Sequence, residues 1–306
     1  MKRIYFLFLM IISYSSLKAG CDMCNMYVGL NPNYNKNTIG LRYRYSSYSD
    51  LGMIHTNASG NYNSNNSGKL NYRSYRTTEL WAMYYPTPKV QLLFAIPYMD
   101  NRLVIEDNLK QQVLGLGDLT LVGRYQILNR NIDSIHNKQR LFIGFGIKTP
   151  TGQFQNLDYG GMLDPHIQPG TGSFDYLLSL DYFLKSPSDY GFNIAFNYKI
   201  TNTNPNEYRF ANRLNSNMHF FYQYHFNDHV IMPSIGSVIE IASLDINQKI
   251  KQLASNGTII NSVLELDYFY RQYALIMSVQ SPIYSHFNDS NAKHQGRFMV
   301  GINYSF

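Results

Sequence analysis

The last nine residues of the chain alternate between two kinds of side chain. Phe298, Val300, Ile302, Tyr304 and Phe306 are apolar, whereas the four residues between them are mostly polar or small. Side chains point to opposite faces in turn along a β-strand, so the pattern predicts a strand with one apolar and one polar face. Such a strand suits a wall between lipid and an aqueous lumen. It equally suits a half-buried edge strand of a soluble β-protein.

The amino-terminus indicates the compartment. Lys2 and Arg3 precede an apolar stretch at residues 4–12, and a short polar region ends at Ala19. This is the plan of a secretory signal peptide, and the stretch is too short for a membrane-spanning helix. We expect residues 1–19 to be removed, residues 20–37 to form a periplasmic segment and residues 38–306 to form the folded domain. Lipidation at Cys21 is the alternative, although Lys18 stands where that signal has an aliphatic residue.

The composition separates membrane-inserted from soluble β-proteins. Charged residues make up only 15% of the chain, against roughly 25% in soluble domains, and aromatic residues also make up 15%. Mean hydropathy is nevertheless only −0.29, which fits a barrel because alternate residues face lipid. The net charge is +6, but the basic residues are scattered along an exported chain, so we expect no nucleic-acid partner.

Period-two segments recur along the whole chain. Tyr43 and Tyr45, for example, alternate with Arg42 and Arg44, and similar segments separated by turn residues bring the total to twelve. Bacterial single-chain barrels have an even number of strands. The sequence therefore predicts an all-β fold, a transmembrane antiparallel up-and-down β-barrel of about twelve strands.

The connections between these segments alternate in length. Residues 86–89, 186–189 and 227–229 form short turns, whereas residues 49–74, 99–114 and 149–174 read as long loops. Short periplasmic turns and long outer loops are typical of outer-membrane barrels. We expect the outer membrane of a Gram-negative bacterium, with the amino-terminus in the periplasm.

The closing strand also resembles the assembly signature of bacterial outer-membrane barrels, carried here by Phe298, Tyr304 and Phe306. The resemblance implies that outer-membrane lipids and the barrel-assembly machinery are partners. The sequence leaves the oligomeric state open.

Charged residues opposite the apolar stripes should face the lumen, because Arg or Lys at the lipid midplane costs about 2–4 kcal/mol. Both signs occur, so we expect ion pairs that prop the wall, with a solute path as the alternative. The candidates are Arg42, Arg44, Asp118, Arg124, Lys148, Asp181, Glu265 and Asp267.

Three glycine-rich motifs occur in a fixed order: Gly-Leu-Gly-Asp at 115–118, Lys-Thr-Pro-Thr-Gly at 148–152 and Gln-Pro-Gly-Thr-Gly-Ser at 168–173. Together they resemble the outer-membrane channel family named for the meta-cleavage pathway of phenol degradation. The resemblance covers the middle half of the chain and implies a channel for small or hydrophobic compounds. It implies no catalytic residues, and we expect no enzyme.

The long fifth connection is a candidate constriction or gate, with an ordinary surface loop as the alternative. Prolines stiffen it, and it carries titratable groups. The candidate residues are Pro150, Asp164, His166, Pro169 and Asp175.

Two cysteines stand near the expected mature amino-terminus. Cys21 and Cys24, flanked by Met23 and Met26, could form a disulfide in an oxidising compartment. When reduced, these soft ligands suit Cu(I), and Zn²⁺ would also be accepted. A Cu(I) or Zn²⁺ site at these residues is therefore the only cofactor expectation.

The sequence as a whole predicts a channel that passes a small solute by passive or weakly selective diffusion. The solute would be a hydrophobic or aromatic compound or would be metal-related. The alternative is a non-conducting barrel that acts in binding or assembly, with the Cys21/Cys24 tail capturing a soft metal ion.

Overall fold

The structure, a computed structural model, describes residues 35–51, 70–105, 108–130, 137–158, 161–252, 255–287 and 293–306. Its wall strands are antiparallel and form one continuous sheet. They are β1 (Thr38–Leu51), β2 (Leu70–Thr87), β3 (Val90–Ile105), β4 (Asn108–Leu116), β5 (Thr120–Arg130) and β6 (Lys138–Lys148). Three short elements follow in the next connection, β7 (Leu157–Asp158), β8 (Gly161–Met162) and a 3₁₀ turn (Pro165–Ile167).

The second half of the wall continues the same antiparallel sheet. Its strands are β9 (Asp175–Lys185), β10 (Tyr190–Ile200), β12 (Arg213–Tyr222), β13 (Tyr224–Phe226), β14 (His229–Ala242), β17 (Gly257–Tyr270), β18 (Tyr273–Phe287) and β19 (Lys293–Ser305). A small sheet outside the wall contains β11 (Tyr208–Arg209), β15 (Asp245–Asn247) and β16 (Ile250–Gln252).

The sheet closes into a single ring. β1 pairs with β19 in the register Tyr43↔Val300, and β12 pairs with β14. β4 and β5 share one position in the wall, as do β12 and β13, so the closed barrel has twelve strand positions. The predicted antiparallel twelve-stranded barrel is confirmed.

Side chains on the wall alternate between two environments. On β17, Leu264 and Leu266 are exposed on the outer face, whereas Val263, Glu265 and Asp267 are buried on the inner face. All the remaining wall strands likewise carry their large exposed apolar side chains on the outer face. An apolar outer band around a closed barrel is the surface that a bilayer requires.

The described residues contain no helix that is long and apolar enough to cross a membrane.

The closing strand lies at the seam. Phe298, Tyr304 and Phe306 all point outward, and the rings of Tyr304 and Phe306 stack with centroids 6.0 Å apart. The backbone N–H of Phe306 donates to Asn37 O at 2.8 Å, so pairing across the seam continues to the last residue.

One connection and one wall strand differ from the sequence prediction. Residues 99–114 are not a long loop: β3 and β4 continue as a paired hairpin through most of this range. The segment lacked a clean alternation, yet backbone pairing with β3 satisfies its polar groups. The alternation at residues 214–226 predicts a single strand, whereas the structure interrupts it at Gln223, between β12 and β13.

The two ends of the barrel are therefore distinct. Turns at residues 88–89, 186–189, 227–228 and 271–272 define the short-turn end. The connections at 149–174, 201–212 and 243–256 lie at the opposite, long-loop end.

The outer face provides a direct test of membrane insertion. Ile235, near the middle of β14, and Ile250, on β16 outside the wall, are 61% and 63% exposed. Ile235→Arg should destabilise the barrel by about 2–4 kcal/mol if this face contacts lipid. Ile250→Arg, the matched control, should change stability by less than about 0.5 kcal/mol. Urea unfolding in phospholipid vesicles measures both, and equal effects would contradict a lipid-facing β14.

Candidate functional site in the barrel lumen

The structure places all eight candidate charged residues on the inner face. Six of them are buried, while Arg44 and Asp181 are partly exposed. Three groups of ion pairs account for most of the eight, and each group also uses residues that were not among the candidates.

The first group is centred on Glu79 of β2. Arg42 Nε donates to Glu79 Oε1 at 2.5 Å, and Arg44 Nη2 lies 3.1 Å from Glu79 Oε2. The Arg42 guanidinium also lies 5.7 Å from the centroid of the Trp81 ring. Glu79 was missed, although its alternation with Leu80 would have placed it on the inner face.

The second group is centred on Arg124 of β5. Its Nη1 lies 3.9 Å from Asp181 Oδ2 and 3.5 Å from Gln91 Oε1, and Asn193 Nδ2 donates to Asp181 Oδ1 at 3.2 Å. Gly144 makes room for the arginine stem, because a Cβ there would lie 2.8 Å from Arg124 Cγ.

The third group surrounds Lys148 at the end of β6. Its Nζ lies 2.7 Å from Asp118 Oδ2 and 2.9 Å from Asp175 Oδ2. Asp118 also accepts from the backbone N–H groups of Gly152 at 3.0 Å and Thr171 at 2.9 Å. One carboxylate in the wall therefore holds both ends of the connection 149–174.

This connection, which we call the plug loop, folds into the barrel. Leu163 and Ile167 pack against the inward-facing Val113 of β4. Asn101, on the inner face of β3, donates through Nδ2 to Ile167 O at 3.0 Å. Asp164 lies 3.1 Å from Arg73 Nη2 on β2. The loop thus crosses the lumen at the long-loop end.

The two candidate prolines of the plug loop, Pro150 and Pro169, differ in burial. Pro169 is buried against Gly115 and Gly117, whereas Pro150 is exposed beside the start of the loop. A Cβ at Gly117 would lie 3.0 Å from Pro169 O, so glycine allows the backbone of the loop to approach the wall.

His166, at the centre of the plug loop, contacts a second loop. Its Nε2 lies 2.8 Å from Asp245 Oδ2, and Asp245 also accepts from Tyr208 OH and from Ala211 N, each at 2.6 Å. Burial by itself would raise the pKa of the Asp245 carboxyl, but His166 and the hydrogen bonds hold that pKa below its ordinary value. The Asp245 carboxylate therefore stays ionised at mildly acidic pH.

The plug loop also completes the wall. Within the described residues β4 has only β3 as a strand partner. On the other side of β4, Gln153 N–H donates to Leu116 O at 3.2 Å, and Gly170 N–H donates to Gln153 O at 2.7 Å. Loop backbone thus stands where a neighbouring strand would otherwise lie.

Toward the short-turn end the lumen is lined by apolar side chains. One buried cluster contains Trp81, Met83, Leu93, Ala95, Val122 and Leu177. A second contains Phe221, Met232, Phe269 and Ala274. The mouth beside the second cluster holds a cavity of about 300 Å³ lined by Lys185, Gln223, His225, Asp228, Val230, Phe269 and Arg271.

The proposed soft-metal ligands Cys21, Met23, Cys24 and Met26 lie outside the described residues. Within the described part of the chain, no group of three or more His, Cys, Asp or Glu side chains is arranged to hold a metal ion. The metal site at the amino-terminus stays a prediction, which titration of Cu(I) into reduced protein and a Cys21→Ser/Cys24→Ser variant would test.

No family model and no curated protein sequence matches the chain. Among solved structures, an outer-membrane channel from Pseudomonas putida F1 is similar over 91% of this chain and all of that one, with a TM-score of 0.63 and 15% identity. The β-domain of the Bordetella autotransporter BrkA is similar over 88% of this chain and 99% of that domain, with a TM-score of 0.50 and 10% identity. These likenesses establish an outer-membrane type of barrel. They do not establish the family named for phenol degradation.

The role of Asp118 in holding the plug loop can be tested directly. Asp118→Asn removes the charged acceptor of two backbone N–H groups, and hydrogen bonds to charged groups contribute about 1.5–3 kcal/mol each. We expect hydrogen exchange at Gly152 and Thr171 to accelerate more than tenfold. Asp228→Asn, which removes an exposed ion pair with Arg271, is the control and should leave exchange in the loop unchanged. Equal protection in all three proteins would show that Asp118 does not hold the loop.

Proposed function

We propose that the protein is an outer-membrane channel, with its amino-terminus in the periplasm, that passes a small solute through a lumen gated by the plug loop. The observation that carries the proposal is the loop itself. A closed barrel wall with a polar inner face encloses residues that are held there by side-chain contacts to β2, β3 and the β4–β5 junction. The likeness to a channel barrel supports the same function.

The lining favours a small, largely apolar solute. Strong anion or cation filters use rings of one charge, whereas Glu79, Asp181 and Asp118 are each matched by a nearby Arg or Lys. The apolar clusters at the short-turn end offer dispersion contacts to a hydrophobic or aromatic compound. The metal-related solute has no comparable support in the described lumen.

Opening requires the plug loop to leave its contacts. The Asp118 end includes backbone bonds that complete the wall, whereas the centre of the loop is held by Asp164 and His166 through side chains. The centre of the loop is thus the part that can move with least damage to the wall.

Shortening the loop tests both the channel and the gate. Gly170 N–H donates to Gln153 O, so the two ends of the loop are adjacent. Replacing residues 155–168 with two glycines should preserve the wall and raise single-channel conductance several-fold in planar bilayers. If neither folded protein shows conductance or solute flux, the protein is not a channel. If both conduct equally, the channel stands and the gate does not.

A single substitution provides a milder test of the gate. Asp245→Asn removes the carboxylate that faces His166, and truncating one partner of a buried pair costs several kcal/mol. We expect a larger fraction of time in the open state at neutral pH, measured as open probability. Asp228→Asn at the short-turn end should behave as the wild type. An unchanged open probability in Asp245→Asn would exclude this contact as a latch.

A further inference from the structure

Lys199, near the end of β10, differs from the other buried cations of the inner wall. Within the described residues, every other buried Arg or Lys side chain has a carboxylate within 4 Å, namely Arg42, Arg124, Lys148 and Arg297. Lys199 is only 4% exposed, yet its ammonium group has neither an ion pair nor a hydrogen bond in that part of the chain. A buried charge without a partner is costly, so an anion beside Lys199 would be stabilising.

The strands around Lys199 supply no spare carboxylate. β10 and its neighbour β12 contain no Asp or Glu. The strands on either side of this pair, β9 and β14, contain three, Asp175, Asp181 and Glu240. Each of these three already has an Arg or Lys within 4 Å, respectively Lys148, Arg124 and Arg297. An anion for Lys199 must therefore come from another molecule.

Two amide side chains on the same inner face independently indicate a polar ligand. Asn197 precedes Lys199 by two residues, so the two side chains point the same way from positions about 6.6 Å apart. The Asn197 amide is buried and makes no hydrogen bond within the described residues. On β12, Asn217 is 1% exposed, and both polar atoms of its side chain lack partners there. Buried amides without partners are costly, and their N–H groups suit an anionic or polar guest.

An apolar surface adjoins this polar strip. Leu177 of β9 lies directly opposite Lys199 in the register, and it belongs to the buried apolar cluster that contains Trp81 and Val122. Directly opposed Cβ atoms on paired strands are about 4.5–5.5 Å apart. A positive charge and an apolar surface are therefore side by side.

The level of Lys199 in the lumen is set by the plug loop. β10 ends at Ile200, and Asn204, shortly beyond it, donates through Nδ2 to Thr171 O of the loop at 2.9 Å. Arg213, which lies opposite Lys199 on β12, interacts electrostatically with the Asp245 carboxylate beside His166 of the loop. Lys199 is thus the cation at this level whose charge the protein leaves unmatched.

We propose that Lys199, Asn197 and Leu177 form a lumenal binding site for a small organic monocarboxylate whose remaining part is apolar. The ammonium group pairs with the carboxylate in a charge-assisted hydrogen bond, and the Asn197 amide donates to the same group. The cluster around Leu177 contacts the apolar part of the solute. One unmatched cation selects one carboxylate, because a second would have no partner. The site names the class of solute for the proposed channel and therefore rests on that function.

The test is calorimetric titration of sodium benzoate into the full mature chain, refolded in detergent, at constant ionic strength and with the heat of empty micelles subtracted. The wild type should show saturable binding. Benzamide, which is neutral and has nearly the same shape, should bind at least tenfold more weakly.

Three variants assign the binding to Lys199. Lys199→Met removes the charge but keeps an apolar stem, and it should weaken benzoate binding at least tenfold. Asn197→Asp supplies a carboxylate from within the chain and should abolish benzoate binding by matching the ammonium group. Lys251→Met makes the same charge change at an exposed position of β16 outside the wall, so it should bind as the wild type does.

Thermal unfolding separates the site from a purely structural role of Lys199. Without benzoate the Lys199→Met and Asn197→Asp barrels should be at least as stable as the wild type, because a buried charge without a partner has been removed or matched. Added benzoate should raise the Tm of the wild type and leave the Tm of both variants unchanged.

Three results would overturn the proposal: no saturable benzoate binding by the folded wild type, equal binding of benzamide, or equal benzoate binding by Lys199→Met. Binding is measured in detergent and conductance in planar bilayers. A barrel that conducts without binding benzoate refutes the site alone, whereas one that binds benzoate without conducting refutes the channel.

Discussion

The whole structure depends on the rule that a backbone in lipid must satisfy its own hydrogen bonds. Water is absent from the bilayer core, so an open sheet edge there leaves N–H and C=O groups without partners. The antiparallel pairing of β1 with β19 removes that edge, and it extends from Thr38 to Ser49. Closure in turn divides the side chains of every strand into an outer and an inner set. The apolar belt and the polar lumen are both consequences of the closed ring.

Confinement of charge to the lumen explains why the interior is organised by ion pairs. A charge that cannot face lipid must be buried inside, where burial is favourable only with a partner and further hydrogen bonds. Asp118 is a buried carboxylate that has both a charged partner and further hydrogen bonds. Its oxygens meet the Lys148 ammonium and the N–H groups of Gly152 and Thr171, so neutralising one wall charge also folds a loop inward.

Much of this fold could be predicted from the sequence because its period is local. Alternation of Arg42 with Tyr43, or of Glu265 with Leu264, assigns each side chain to a face without knowledge of its partners. The partners depend on register and on residues far apart in the chain. Arg297 with Glu240 and His166 with Asp245 join segments separated by other strands or loops, and no local spacing relates them. The β3–β4 hairpin was missed for a similar reason, since its pairing extends the wall beyond the segments with clean alternation.

At the break between β4 and β5 the plug loop supplies a backbone partner to the wall. Leu116 O of β4 accepts a hydrogen bond from Gln153 N–H of the plug loop, and Gly170 N–H in turn donates to Gln153 O. If the whole loop moved, Leu116 O would lose this partner, and an unpaired carbonyl in the wall is costly. The two ends of the plug loop are therefore bonded to the wall through backbone groups, whereas Asp164 and His166 between them make side-chain contacts. Under the proposed gating, the backbone rule that closes the barrel thus also limits which part of the loop can move without leaving wall groups unbonded.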